Sequence, residues 1–304
     1  MHIGFLFNHY TTHQVYHTAP VAFALSCEFP DAVVTIVTSD TSQRKTVEKI
    51  ARLYPNHKCR IVEAHVPVYA KLLDKMLRKI VLIRKWAVLK SNTGLFKKMD
   101  VLVVPEKTSL TLRKNPKLTH LKFVRIRHGA GDRPTGLNEQ QDGFDLILAS
   151  GEKAKRRLVE DAGISPDKIT VTGYPKFDAV PANPPDRVFK DDKQVVLYNP
   201  HFKKAESSFP KMGRDVLEFF KSSPDYNLIF APHVVLYLRG LRHGAIYLNP
   251  YRDCPNIHLD TGSENSVDMT YLNQANIYLG DVSSQIYEFI YRPRPCVFLN
   301  AHGI

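Results

Sequence analysis

The run IYLGDVSSQIYEFI at 277–290 sets a short apolar strand, a two-residue break and a helix start in immediate succession. That order restricts the chain to folds in which parallel strands are joined through helices. Ile277, Tyr278 and Leu279 read as a buried strand, Gly280 and Asp281 break it, and Ser283 and Ser284 are of N-cap type for a helix running from about 285. A helix start leaves backbone N–H groups unpaired and carries the positive end of the dipole, so this turn suits a phosphate or pyrophosphate. Simple capping by Ser283 is the other reading of the same residues.

The same alternation recurs along all 304 residues. HIGFLF (2–7), AVVTIVTSD (32–40), a short stretch near 59–64, VLVVP (101–105), KFVRIRH (122–128), DLILASG (145–151) and ITVTGYP (169–175) read as strands. Helical stretches are expected near 19–29, 42–53, 69–90 and 152–162. The proline-rich DAVPANPPDRVF (178–189) is the one convincing linker. A second series then starts with QVVLYNP (194–200) and continues through NLIFAPH (227–233), NIHLD (256–260), the 277–290 run and CVFLN (296–300), with helices near 211–221, 234–240 and 266–275. The expected organisation is a domain over 1–178, a linker over 179–193 and a second domain over 194–304, with a C-terminal portion expected beyond it. Each domain would be a doubly wound parallel sheet.

Charge is distributed unevenly between these halves. To residue 180 there are 29 Lys and Arg against 17 Asp and Glu, and from 181 onward 13 against 13, so the whole net +12 lies in the first part. That half is expected to face something anionic. Nucleic acid fits poorly, because no stacking platform of interleaved aromatics and no reading motif is present. The segment 69–90, YAKLLDKMLRKIVLIRKWAVLK, sets Lys71, Lys75, Arg78, Lys79, Arg84, Lys85 and Lys90 against a single acid, Asp74. It reads either as a surface helix with its apolar stripe on the sheet or as a helix lying on anionic lipid with Trp86 near the interface. No run reaches the roughly 18 to 20 apolar residues of a spanning helix, and HIGFLF enters a strand rather than a signal peptide, so a cytoplasmic location is expected. Cys27, Cys59, Cys254 and Cys296 are scattered without a C-x-x-C pair, which predicts neither a disulfide framework nor a zinc site.

Ligands of open α/β sheets bind outside the carboxyl ends of the strands. His128, His233 and the 281–284 turn all follow predicted strands, and an imidazole can accept a proton near neutral pH. His9, His13 and His17 precede the first predicted helix at a spacing of four; lining an acceptor site is the favoured reading, with a metal the lesser alternative.

RIRHGAGD, VTGYPKFD, VVLYNPHFKK, LIFAPH, NIHLD and IYLGDVSSQIYEFIYRPRPCVFL occur in an order and spacing that resembles the CDP-glycerol glycerophosphotransferase family, which includes teichoic acid polymerases and capsule-polymer enzymes. The resemblance covers about 121–300. It implies a GT-B fold of two Rossmann-like domains facing each other across a cleft. The activity implied is transfer of glycerol phosphate or a related polyol phosphate from a CDP-linked donor to a hydroxyl of a cell-surface polymer or lipid-linked acceptor, with release of CMP and no cofactor. His128 would be the general base and His233 would stabilise the donor phosphates. Ser283 and Ser284 would hold the pyrophosphate, Asn256 and Ile257 would lie near the base, and Lys176 would contact a phosphate. Gly129, Asn199, Lys203 and Asp281 complete the implied substrate-binding set.

Two stretches depart from the family pattern. His201-Phe202-Lys203-Lys204 stands where many members have Thr-Trp-Arg, so the cationic role passes to Lys203 or Lys204. Gly280-Asp281-Val282-Ser283-Ser284 stands where Thr-Asp-Tyr-Ser-Ser is usual. A GT-B glycosyltransferase using a nucleotide sugar and a non-catalytic basic membrane-surface protein are the alternative readings. The implied location is the inner face of the cell membrane.

Overall fold

The computed structural model describes residues 1–77, 82–127, 142–179, 186–233, 236 and 248–303, without the Lys75 side chain. They form two compact units, Met1–Ala179 and Val180–Ile304. In the first, β1 (His2–Phe7), β2 (Val33–Thr38), β3 (Arg60–Glu63), β4 (Val101–Val104), β5 (Lys122–Ile126), β6 (Leu146–Ala149) and β7 (Ile169–Val171) make one sheet of order β3-β2-β1-β4-β5-β6-β7. Every pairing in it is parallel. In the second, β8 (Gln194–Asn199), β9 (Tyr226–Phe230), β10 (Ile257–Leu259), β11 (Ile277–Gly280) and β12 (Cys296–Phe298) are ordered β10-β9-β8-β11-β12, again all parallel. Both sheets therefore reverse direction beside their first strand, the topological switch point at which α/β proteins bind ligands.

The strands are apolar along nearly their whole length because parallel sheets are covered on both faces. Phe5, Leu6 and Phe7 of β1 and Leu228, Ile229 and Phe230 of β9 are all fully buried. The first core gathers Leu102, Val104, Phe123 and Ile147 with Phe96 and Leu158 from the covering helices. The second gathers Tyr198, Phe230 and Leu217. At roughly 1.5 to 3 kcal/mol per buried large side chain, these contacts supply the drive for sheet formation.

Two helices differ from expectation. The first, α1, spans His13–Glu28 and so starts six residues before the predicted 19. Pro20 mimics the start of a helix, but Val15, Tyr16, Ala19, Ala22 and Phe23 continue one buried stripe across it. Packing outweighs the missing N–H. His13 and His17 thus lie on the helix itself. The segment 69–90 forms two helices, α3 (Val68–Leu77) and α4 (Ile83–Ser91), rather than one. Residues 78–81, with Arg78 and Lys79, lie outside the described residues.

Of the apolar residues of α3, Ala70 joins the first core while most of the others face outward. Ala70 and Asp74 are buried, whereas Val68, Tyr69, Leu72, Leu73 and Met76 are exposed, Met76 by 79%. Asp74 is occupied internally, accepting from the Arg84 N–H at 3.0 Å and from the Tyr10 hydroxyl. Lys85 was expected on the basic surface but is 5% exposed and paired with Glu106 at 3.3 Å. The helical patch near 234–240 lies, apart from Leu236, outside the described residues, as do 180–185 of the expected linker. Among the described residues no helix is long and apolar enough to cross a membrane.

Candidate functional site

In the second unit, β8 and β11 are neighbours at the switch point, with Gly280 in register with Asn199. Gly280 has φ +149°, and a Cβ there would stand 2.9 Å from the Asn199 carbonyl oxygen, a backbone atom that cannot swing away. Gly280→Ala is expected to cost about 1–3 kcal/mol through backbone strain. Urea unfolding checks this; an unchanged midpoint would show that the two strand ends separate freely.

Asp281 follows directly and is 4% exposed. Its carboxylate accepts the His201 N–H at 2.7 Å and the Ser208 N–H at 3.0 Å to each oxygen. Through these bonds it ties the 200–208 loop to the end of β11. The loop is held again where the Tyr198 hydroxyl and Ser208 Oγ meet at 2.9 Å.

The ring of His201, 2% exposed, is thereby fixed at the carboxyl end of β8. Its Nδ1 accepts the Lys203 N–H at 3.2 Å and lies 3.4 Å from Glu206 Oε2. His233, at the carboxyl end of β9, donates its N–H to the Pro200 carbonyl at 3.1 Å. The two imidazole centroids are 6.1 Å apart, and Phe202 packs on both, 4.5 Å from His201 and 4.7 Å from His233. Two histidines and an aromatic face thus converge on adjacent strand ends. In the sequence His201 stands out as a departure from a family pattern; the signal that finds it as a site residue is the repeated Pro-His ending of β8 (Pro200-His201) and β9 (Pro232-His233).

Other expected residues fall differently. Asn199 is buried, with its amide donating to the Ala231 carbonyl at 2.5 Å, so it braces β8 against β9. Lys203 Nζ pairs with Glu206 at 2.8 Å on the rim of the same loop. Ser283 caps the short helix α9 (Ser284–Phe289), its Oγ accepting the Gln285 N–H at 3.3 Å. Ser284 opens that helix half-buried. Six residues make less than two turns, so the dipole contribution is small.

Asn256 and Ile257 are the residues expected near the base. They sit at the amino end of β10, away from the carboxyl ends that carry His201 and His233. The Asn256 amide donates to the carbonyls of Phe220 at 2.6 Å and Ser223 at 3.1 Å, closing the end of α7 (Phe209–Ser222), and Ile257 belongs to the core. The carboxyl end of β10 instead presents Asp260, which accepts the N–H groups of Gly262 at 2.8 Å and Ser263 at 2.7 Å. Burial would raise the Asp260 carboxyl, but the bonds from Ser263 and Gly262 outweigh it and hold the group below its ordinary range. Burial also pushes the neighbouring Tyr271 hydroxyl up to about 12, helped by Asp260.

In the first unit, Lys176 is buried in the turn Pro175–Ala179, beside Tyr174, whose ring lies 5.1 Å from that of His17. His9 and His13 share Thr11 Oγ1 at 2.8 and 2.6 Å. Among the described residues no three His, Cys, Asp or Glu side chains are grouped to hold a metal. His128 and Gly129 lie outside the described residues.

Residues 105–302 match the family model described as CDP-glycerol:poly(glycerophosphate) glycerophosphotransferase. The chain belongs to that family. The resemblance carried by the sequence motifs is borne out, and the match begins earlier than 121, at the end of β4. Among curated proteins the chain is similar to the minor teichoic acid biosynthesis protein GgaB of Bacillus subtilis (strain 168), 24% identical over 205 residues, covering 60% of this chain and 21% of that protein. The chain therefore spans about a fifth of the length of that relative. Among solved structures, the UDP-GlcNAc 2-epimerase of Neisseria meningitidis bound to UDP-GlcNAc is similar at a TM-score of 0.69, with 15% identity over 98% of this chain and 82% of that one. The wall teichoic acid polymerase TagF is similar at a TM-score of 0.59, with 15% identity over 98% of this chain and 69% of that one. These likenesses concern the fold, and they agree with the two parallel sheets: this family member has the two Rossmann-like domains of the GT-B class.

Proposed function

We propose that this family member transfers glycerol phosphate, or a related polyol phosphate, from a CDP-linked donor to a hydroxyl of a polymer acceptor. The observation that carries the reading is the family match across 105–302, which takes in β5 to β12. The acceptor oxygen attacks the polyol-bearing phosphorus, the bond from that phosphorus to the CMP oxygen breaks with its electron pair leaving on CMP, and the hydroxyl proton passes to a base. Such transfer depends chiefly on positioning and on donors or cations where charge develops.

In this reading the first unit is the acceptor side and the second the donor side. His128, followed by Gly129 in the sequence, is the base. His233 donates toward the donor phosphates, His201 stands beside it, and Ser283, Ser284, Lys203 and Lys176 are the remaining phosphate contacts. The Pro-His endings of β8 and β9 support the donor side, since both rings stand at carboxyl strand ends beside the switch point. Purified protein incubated with CDP-glycerol and an oligomeric glycerol phosphate acceptor is expected to release CMP; no release with either CDP-glycerol or CDP-ribitol would remove the reading. Thermal shift against CDP, CMP, UDP and GDP is expected to favour the cytidine nucleotides.

The proposal extends to peripheral attachment at the cytoplasmic face of an anionic membrane through α3 and α4. Its support is the exposed apolar set Val68, Tyr69, Leu72 and Met76 with Trp86, 49% exposed, flanked by exposed Lys71 and Lys90. Leu72→Gln with Met76→Gln is expected to weaken binding to phosphatidylserine vesicles at least tenfold. Neutralising Lys71 and Lys90 removes about 1 kcal/mol each. Co-sedimentation reads both, and binding unchanged in both variants defeats the attachment.

A further inference from the structure

The loop 8–12 leaves β1 at its carboxyl end, beside the switch point, and leads into α1; His9 and His13 share Thr11 Oγ1 across it. Its remaining bonds run to helices distant in the chain. Buried Asn8 donates its amide to the Lys85 carbonyl of α4 at 3.0 Å. The His9 carbonyl accepts Arg84 Nη2 at 3.1 Å and the amide of Gln43 in α2 (Thr41–Ala51). The Arg84 guanidinium lies over the Tyr10 ring at 4.4 Å, and the Tyr10 hydroxyl donates to Asp74 of α3. Burial and then the bond to Asp74 push that hydroxyl up to about 12, so it keeps its proton and the donation persists across the neutral range.

Asp74 also accepts the Arg84 N–H at 3.0 Å, in the first turn of α4, where the N-cap residue Leu82 has no side-chain oxygen to offer. Arg84 Nη1 then reaches Asp40 at 2.9 Å, where Asp40 caps α2. One carboxylate and one guanidinium thus tie α2, α3, α4 and the loop after β1 to each other. With respect to an ordinary surface helix α3 is reversed, since Tyr69, Leu72 and Met76 are exposed while its one acid, Asp74, is buried. A buried carboxylate is tolerated where its oxygens are bonded, and here the donors belong to the loop and to α4.

We infer that Asp74 and Arg84 are positioning residues through which docking of α3 on an anionic lipid surface sets the loop after β1, so that lipid and acceptor chain strengthen each other's binding. The inference rests on reading α3 as the membrane face and the first unit as the acceptor side. A lipid surface engages the outward face of α3 and restrains the helix. Asp74 then holds Tyr10 and the first turn of α4, and Arg84 holds the His9 carbonyl. Order already supplied by the lipid need not be supplied by the acceptor, which therefore binds more tightly. The effect is reciprocal, because linkage requires the acceptor to raise lipid affinity by the same factor.

The test uses the whole chain, vesicles of phosphatidylserine and phosphatidylcholine in equal parts, and a water-soluble glycerol phosphate trimer as acceptor. Vesicles are expected to lower the wild-type KM for the trimer about fivefold or more, with that for CDP-glycerol unchanged. Co-sedimentation without donor nucleotide should show the trimer raising vesicle affinity by the same factor. In Tyr10→Phe and Asp74→Asn the vesicles still bind, because the outward face of α3 is intact, and both factors fall towards one. A merely structural role would shift melting temperature and trimer KM alike with and without vesicles, leaving the factor at its wild-type value. That result, or vesicles that bind wild type without changing its trimer KM, overturns the coupling. Soluble glycerophosphoserine reproducing the factor would place the effect at a headgroup site and overturns it as well. Wild type that fails to sediment with vesicles removes the attachment and the coupling together. Absence of CMP release falls instead on the transferase reading, and the sedimentation arm still decides the coupling.

Discussion

Asp281→Asn is expected to lower the stability of the second unit by about 2–3 kcal/mol and to reduce CMP release by more than tenfold at temperatures where the variant remains folded. The buried carboxylate takes N–H bonds from His201 at 2.7 Å and from Ser208 at 3.0 Å on both oxygens. Bonds to a charged acceptor are about twice as strong as neutral ones. An asparagine keeps one oxygen and turns its NH2 toward a backbone donor, leaving a buried N–H without a partner at about 1–3 kcal/mol. The consequence reaches the site, because the released 200–208 loop carries His201 and Phe202, and Phe202 packs on His233. Urea unfolding of the whole chain and steady-state CMP release read the two effects separately. Wild-type stability with wild-type turnover would reduce Asp281 to an ordinary turn residue.

His128→Ala is expected to lower turnover by about 100- to 10,000-fold, the usual range for losing a positioned general base. CDP affinity and vesicle binding should both hold. An imidazole must be neutral to accept the hydroxyl proton, so wild-type turnover should show an acidic limb. That acidic limb should vanish from the residual activity of the variant. His233→Ala serves as the comparison: removal of a donor to the developing phosphate charge costs about 100- to 1,000-fold while the limb stays. A variant at position 128 that retains a third of wild-type turnover with the same limb would move the base to another residue.

Several features could be read because their physical cause is local. The strands declare themselves through short β-branched runs, and the order of helices between them leaves little choice but parallel sheets. Gly280 was legible as a break, and Ser283 as a cap. The Pro-His endings of β8 and β9 stand in the sequence, but nothing local shows that the two rings lie on neighbouring strands until the sheet is paired.

Other features depended on partners distant in the chain. Lys85 looks like one more surface cation until Glu106, 21 residues on, is folded against it. Asn256 sits next to a strand, but which end of that strand it occupies is a matter of where β10 begins. Pro20 gives a false helix start because the stripe that carries α1 through it is recognised only once Val15, Tyr16 and Phe23 are buried together.

By itself the sequence determined the fold class, the family and the chemistry on offer, because hydrophobic period, turn chemistry and motif order are properties of neighbouring residues. The tertiary structure alone decided that Asp281 accepts the N–H groups of the 200–208 loop, that α3 turns its apolar face outward and that Lys85 is buried against Glu106. Each of these depends on burial and on Coulomb energy between groups far apart in the chain, quantities that do not exist until the strands are paired.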